Sequence, residues 1–145
     1  MKRPGVATKT MVELIDIYPT ILSLARLDIP KHNAGKSFAE LLEQPNKLIR
    51  HSALSMSHSQ ASSSIRPGVL LKNTMGYTIK TKNFRYTEWD GGIHGAELYD
   101  HRSDPKEITN LYSTTKYASE RSRLGQMLQE RILESRESRE YLHDN

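Results

Sequence analysis

Residues 75–104 read MGYTIKTKNFRYTEWDGGIHGAELYDHRSD, and the fold class is decided in this stretch. Two apolar/polar alternations separated by a short polar turn, with a third run after a glycine pair, predict an antiparallel meander of three strands. In the first run Met75, Tyr77 and Ile79 share one face, while Thr78 and Lys80 share the other. In the second, Phe84 and Tyr86 alternate with Arg85 and Thr87. Lys82-Asn83 suits a two-residue turn because Asn accepts positive φ at low cost. Asp90-Gly91-Gly92 breaks the chain before Glu97-Leu98-Tyr99. One face of the sheet is therefore aromatic and needs covering.

Downstream, Asp104-Pro105 starts a turn, and Asn110, Ser113, Thr114 or Thr115 is placed to cap a last helix from about residue 116 to 134 or beyond. Tyr117, Leu124, Met127, Leu128 and Ile132 keep a helical period and are expected to cover the sheet. Beyond Glu134 every face is charged, with pairs such as Arg136 and Glu140, and fraying is expected. Upstream, residues 51–59 read as a strand, and the Ser-rich run 60–72 reads as a loop joining it to the meander.

Nearer the start, Val12, Leu14 and Ile15 suit a short strand or lead-in. Asp16 then stands as N-cap of a helix to about Leu27, with Pro19 in its first turn, where a missing N–H costs little. Ile17, Ile21, Leu22, Leu24 and Ala25 are expected to form its buried stripe. Ser37-Phe38-Ala39-Glu40 has the form of a capping box opening a short helix to about Glu43. Gly35-Lys36-Ser37 ends like a phosphate-binding loop, but that motif needs Gly where Pro30 stands. The architecture expected is α+β: a small antiparallel sheet of about four strands packed against a long C-terminal helix, preceded by two short helices.

A chain of 145 residues suffices for one modest core, and 36% hydrophobic residues with a mean hydropathy of −0.66 suggest apolar surface meant to meet something else. A long solvated helix gives the same figure. No apolar run is long enough to span a bilayer, and MKRPGVATKT has no apolar core of a secretory signal. Neither a membrane nor a nucleic acid is expected as partner, because the net charge of +4 arises from interleaved basic and acidic residues. A mild positive bias also suits an acidic partner such as a sulfated glycan.

The absence of cysteine removes disulfides, thiolate metal sites and a cysteine nucleophile. The six histidines, His32, His51, His58, His94, His101 and His143, show no H-x-x-x-H or H-E-x-x-H spacing, so scattered surface histidine is the plain reading. No G-x-S-x-G elbow is present. The chain thus displays no complete catalytic apparatus.

MGYTIKTKNFRYTEW followed by HGAELYDHRSDPKEITNLY resembles the C-terminal part of the sulfatases, above all the iduronate-2-sulfatase branch. The residues that carry it are Met75, Gly76, Tyr77, Ile79, Lys80, Thr81, Phe84, Arg85, Tyr86, Thr87 and Trp89, then Glu97, Leu98, Tyr99, Asp100, Asp104, Pro105, Glu107, Asn110 and Leu111. VELIDIYPTILSLARLDIP resembles a second sulfatase pattern, with Arg26 where the family commonly has Gly.

The resemblance implies residues 1–48 as the tail of a catalytic domain and 49–145 as a C-terminal subdomain. It implies hydrolysis of sulfate esters by a formylglycine beside calcium in the intact enzyme, with no cofactor expected in this chain. Neither Cys nor an S-x-P-x-R motif is present, and Asp100-His101 belongs to the ELYD segment and not to the family's metal site. Alone, the chain is expected to be inactive, its partner being a sulfatase catalytic domain that lies upstream or on a separate chain. Met1 is read as an internal start of a truncated or split frame, and relatives are periplasmic, extracellular or lysosomal, so the compartment stays open. By resemblance, substrate contact falls to His58, Gln60, Trp89 and His94, since Trp stacks on sugars and His or Gln bonds hydroxyls or carboxylates. Trp89 at a hairpin end serves packing equally well, and Glu97 reads as a structural hydrogen-bond partner. A glycan-binding module or a docking subunit is the alternative, and an exposed apolar face would favour docking.

Overall fold

The computed structural model describes residues 5–59, 63–66, 69–71 and 74–140, with backbone only for 63–66, 69–71 and 137–140. The elements are α1 (Ile17–Ala25), β1 (Ser52–Ser59), β2 (Ser63–Arg66), β3 (Val69–Leu71), β4 (Thr74–Thr81), β5 (Phe84–Trp89), β6 (Ala96–Asp100) and α2 (Ala118–Glu140). The chain divides into two compact units, 1–53 with 131–145, and 54–130.

In the second unit the meander forms as its alternation dictates. The sheet has the order β1-β4-β5-β6, and β4, β5 and β6 pair antiparallel with Ile79 opposite Tyr86 and Tyr86 opposite Leu98. Those three side chains are buried with Phe84 and Ala96, and Leu124 and Leu128 of α2 are also fully buried. Tyr117 meets Phe84 edge-on at 6.4 Å, and Tyr112 stacks on Tyr86 at 6.3 Å. The aromatic face is thus covered in part by Tyr117, one of the residues whose helical period predicted it, and in part by Tyr112, which lies outside that period. β6 is an outer strand, and its exposed edge is satisfied by a side chain: Leu98 N–H donates to Asn110 Oδ1 at 3.1 Å, and Asn110 Nδ2 donates to the Ala96 carbonyl at 3.1 Å. Asn110 therefore finishes the sheet edge and does not cap α2. No side-chain cap bond is made by Thr114 either, and α2 is entered through a 3₁₀ turn at Thr115–Tyr117.

Three expectations fail here for physical reasons. The 60–72 segment is not wholly loop, because β2 and β3 form a two-stranded antiparallel hairpin within it. The backbone finds its own ladder where side-chain composition signals none. Helix α2 runs on to Glu140 and does not fray at Glu134, since continuous i to i−4 bonding needs no buried face once the helix is propagated. The short helix after Ser37 contracts to a 3₁₀ turn, Ala39–Leu42, with Phe38 and not Ser37 at its N-cap position.

The first unit is organised around a buried carboxylate. Asp16 holds the N-cap position of α1, as expected, but makes no side-chain cap bond to it: Leu14–Asp16 form a 3₁₀ turn that leads into the helix, and Asp16 itself has helical dihedrals. Its carboxylate accepts from the backbone N–H of Glu13 (2.9 Å) and Lys36 (2.7 Å), and from Arg50 Nε (3.0 Å) and Nη2 (2.5 Å). Burial pushes its pKa up, but these bonds and the Arg50 charge outweigh that and hold it below the usual carboxylate range. Thr20 Oγ1 accepts from the Phe38 N–H at 3.0 Å, one helical turn further along the same face.

Because that face turns inward, the expected buried stripe is reversed. Ile17, Ile21, Leu24 and Ala25 are exposed and only Leu22 of the stripe is half-buried, while Asp16, Pro19 and Thr20 are buried. Gly35 is explained by packing and not by phosphate: a Cβ there would lie 2.2 Å from the Ile15 carbonyl oxygen. α1 ends where Arg26 turns left-handed at φ 58°, with Leu27 N–H donating to the Leu22 carbonyl at 2.9 Å. That is the position where glycine costs least, which accounts for the residue common in the resembling sequences.

Candidate functional site at the hairpin tip and polar sheet face

The sheet face opposite the core carries Gly76, Thr78 and Lys80 of β4, Arg85, Thr87 and Trp89 of β5, and Glu97 and Tyr99 of β6, as the register requires. Trp89 stands opposite Gly76, and its ring lies flat there, so close that a Cβ on Gly76 would fall 2.7 Å from Cζ3. Its Nε1 donates to Glu97 Oε1 at 3.3 Å, and Tyr99 Oη donates to Glu97 Oε2 at 3.1 Å. Glu97 thus fixes two aromatic side chains at once. Burial first, then the Glu97 charge, pushes the Tyr99 phenol up to about 12, so Tyr99 remains a donor at neutral pH.

Beyond Tyr99 the face becomes an ionic chain. Arg85 lies 5.8 Å from the Tyr99 ring centre and pairs through Nη1 with Glu107. Glu107 Oε1 accepts from His101 Nε2 at 2.6 Å, and His101 Nδ1 faces Lys80 Nζ. This arrangement assigns the proton to Nε2 and leaves Nδ1 to accept from lysine. Burial lowers the Lys80 pKa, opposed by Glu107 and reinforced by Arg85. Glu107 reaches Arg85 and His101 from a left-handed backbone, φ 57°, after the Asp104-Pro105 turn. The network was not read from sequence. Alternation placed Lys80 and Arg85 on one face, but His101 and Glu107 arrive from outside the strands.

The tip 90–95 brings two of the four expected site residues together. Trp89 O accepts from Gly92 N–H (3.0 Å) and His94 N–H (3.2 Å), and Trp89 N–H donates to the Gly95 carbonyl (3.0 Å). Asp90 anchors the tip through Met75 N–H to Oδ1 at 3.0 Å, and its Oδ2 lies 3.5 Å from His94 Nε2. His94 is exposed beside the half-buried Trp89, with Ile93 protruding next to it. His58 is exposed on β1, two strands away from β5, and Gln60 lies outside the described residues.

Chemically, this surface can stack, donate and accept, but Arg85 is already paired with Glu107 and Lys80 faces His101. Among the described residues no group of three or more His, Cys, Asp or Glu is placed to hold a metal ion. A formylglycine has no precursor here, with no Cys and no S-x-P-x-R. The residues present fit neither group. Among the described residues, no helix is long and apolar enough to cross a membrane.

Residues 1–137 match the family model described as "N-sulphoglucosamine sulphohydrolase, C-terminal". This chain is a sulfatase C-terminal domain. The sulfatase domain is 28% identical to iduronate 2-sulfatase of Homo sapiens over 148 residues, covering 78% of this chain and 27% of that protein. It is 31% identical to arylsulfatase K of Xenopus laevis over 116 residues, covering 74% and 20%. A solved structure in complex with its substrate D-glucosamine-2-N,6-O-disulfate superposes with a TM-score of 0.69 at 25% identity, over 84% of this domain and 24% of that chain. The domain therefore spans about a fifth to a quarter of the length of these relatives.

Proposed function

We propose that this domain completes a sulfuric ester hydrolase of iduronate-2-sulfatase type, acting on a sulfated glycan with calcium and formylglycine supplied by a catalytic domain outside this chain. Residues 1–48 are its share of the catalytic domain and 49–145 the C-terminal subdomain. The tip carries the reading: Trp89, held flat over Gly76 by Glu97, stands beside the exposed His94. A ring so braced can stack on a sugar without paying for its own ordering, and His94 can bond a hydroxyl or carboxylate. His58 and Gln60 belong to the same proposal on resemblance alone. A relative solved with a disulfated glucosamine supports the substrate class, while the two relatives' different names leave the particular sugar to experiment.

The test is the coding sequence immediately upstream of Met1, read in all frames. An in-register C-x-P-x-R segment is expected, and the joined protein should release sulfate from an iduronate 2-sulfate disaccharide. If nothing related is encoded there, the hydrolase reading fails, and a glycan-binding or docking module takes its place.

A further inference from the structure

Backbone bonding fixes the hairpin tip before any ligand arrives. Trp89, Asp90, Gly92, Ile93, His94 and Gly95 each donate their N–H to a backbone carbonyl, at 2.8–3.2 Å. Asp90 is tied twice to Met75: its N–H donates to the Met75 carbonyl at 2.8 Å, and its Oδ1 accepts from the Met75 N–H at 3.0 Å. These two bonds hold the carboxylate in place, and Oδ2 lies 3.5 Å from His94 Nε2. A part-exposed pair of this kind adds little to stability, so its consequence is orientation. The turn itself does not ask for a carboxylate. At φ 45° Asn serves as well as Asp, and an amide oxygen would accept from the Met75 N–H equally. What only Asp supplies is a second acceptor oxygen, and that oxygen faces the His94 ring.

A carboxylate only accepts, so the imidazole nitrogen facing it carries the proton. In the neutral ring Nδ1 is then the lone-pair nitrogen, and it is the one left for a ligand. We infer that Asp90 is a positioning residue: by holding His94 in the Nε2–H form it makes the tip an acceptor of an O–H or N–H donor on the glycan, not a reader of its carboxylate or sulfate groups. This rests on the proposed function above and narrows it, because of the two partners open to His94 the hydroxyl is taken and the carboxylate is not. The composition of the tip agrees. Residues 89–95 include no Lys or Arg, and their one full charge is the negative Asp90. The Trp89 Nε1–H is already given to Glu97 at 3.3 Å. A site built to read an anion would carry a cation or a free donor; this one offers a ring face and a lone pair.

Asp90→Asn tests the assignment without disturbing the turn. The single amide oxygen is claimed by the Met75 N–H, the NH₂ group faces His94 Nε2, and that nitrogen must accept, so the proton moves to Nδ1. Long-range proton–nitrogen NMR of the chain at about pH 8, where an ordinary imidazole is neutral, reads the two forms directly. The expected result is the Nε2–H form in the parent and the Nδ1–H form in Asp90→Asn, with the urea midpoint unchanged. In the joined enzyme Asp90→Asn should raise KM for an iduronate 2-sulfate disaccharide roughly five- to tenfold, the worth of one neutral hydrogen bond, with kcat within about twofold. In a His94→Ala background the same substitution should add nothing. An Nδ1–H parent, or the same form in both chains, overturns the assignment and leaves the hydrolase reading standing. An unchanged KM in an enzyme whose His94 has changed form overturns it too, as does an equal rise in the His94→Ala background, which marks a merely structural role. Failure of the joined parent to release sulfate removes the hydrolase reading itself, and the glycan contact with it.

Discussion

Gly76→Ala tests the geometry of the tip directly. Gly76 lies within β4, and its backbone is not left-handed, so the substitution meets no dihedral strain. The new Cβ would stand 2.7, 2.8 and 3.0 Å from Cζ3, Cε3 and Cη2 of Trp89, well inside ordinary carbon contact of about 3.5–4.0 Å. Backbone lies on one side, so the ring must move. Forced rearrangement of this kind costs about 1–3 kcal/mol. A displaced ring also loses its 3.3 Å bond to the buried Glu97 carboxylate, worth about 1 kcal/mol at that length. Replacing glycine within a strand returns about 0.5–1 kcal/mol. The net loss is therefore roughly 2 kcal/mol, which at a slope near 2 kcal/mol per M lowers the urea midpoint by about 1 M. Trp89 is the only tryptophan, so its emission reports both the displacement and the unfolding. A midpoint within about 0.2 M of the parent, with unchanged emission, would refute the packing argument. In a Trp89→Leu background, followed by circular dichroism, Gly76→Ala should cost nothing.

Asp16→Ala leaves the buried Arg50 with the more distant Glu13, 3.4 Å away, and should cost about 3 kcal/mol, whereas Asp16→Leu with Arg50→Met should recover much of it; equal losses in thermal unfolding would contradict this. The depressed pKa values of Asp16 and Asp100 mean that their contribution is fully present above the unfolded value near 4 and is lost as pH falls through the lower folded values. An acid-unfolding midpoint that Asp16→Asn and Asp100→Asn leave unchanged would count against it. Leu128→Ala, at a fully buried position of α2, should destabilise by about 2–5 kcal/mol in urea titration, while the exposed Leu133→Ala stays within about 0.5 kcal/mol. His94→Ala should leave stability within about 0.5 kcal/mol yet raise KM in the joined enzyme, and an unchanged KM would remove His94 from the pocket.

The meander was legible because strand alternation is a local property: Ile79, Tyr86 and Leu98 announce one face wherever the strands go. The covering helix was legible for the same reason, from the period of Leu124 and Leu128. Trp89 and His94 were named on resemblance, and they fall on one hairpin tip because only four residues stand between them. Glu107 could not be joined to Lys80, Arg85 and His101, because its reach depends on a left-handed backbone after Asp104-Pro105.

Composition and periodicity by themselves determined the α+β class, the strand faces and the absence of a formylglycine precursor. Only the tertiary structure decided which side of α1 turns inward. An apolar stripe states that a helix must bury a face somewhere, but not whether its own chain supplies the cover. Here the carboxylate of Asp16 gathers Arg50 and the Lys36 N–H from 34 and 20 residues away. Meeting those hydrogen-bond demands orients the helix, and Ile17, Ile21 and Leu24 are left facing outward.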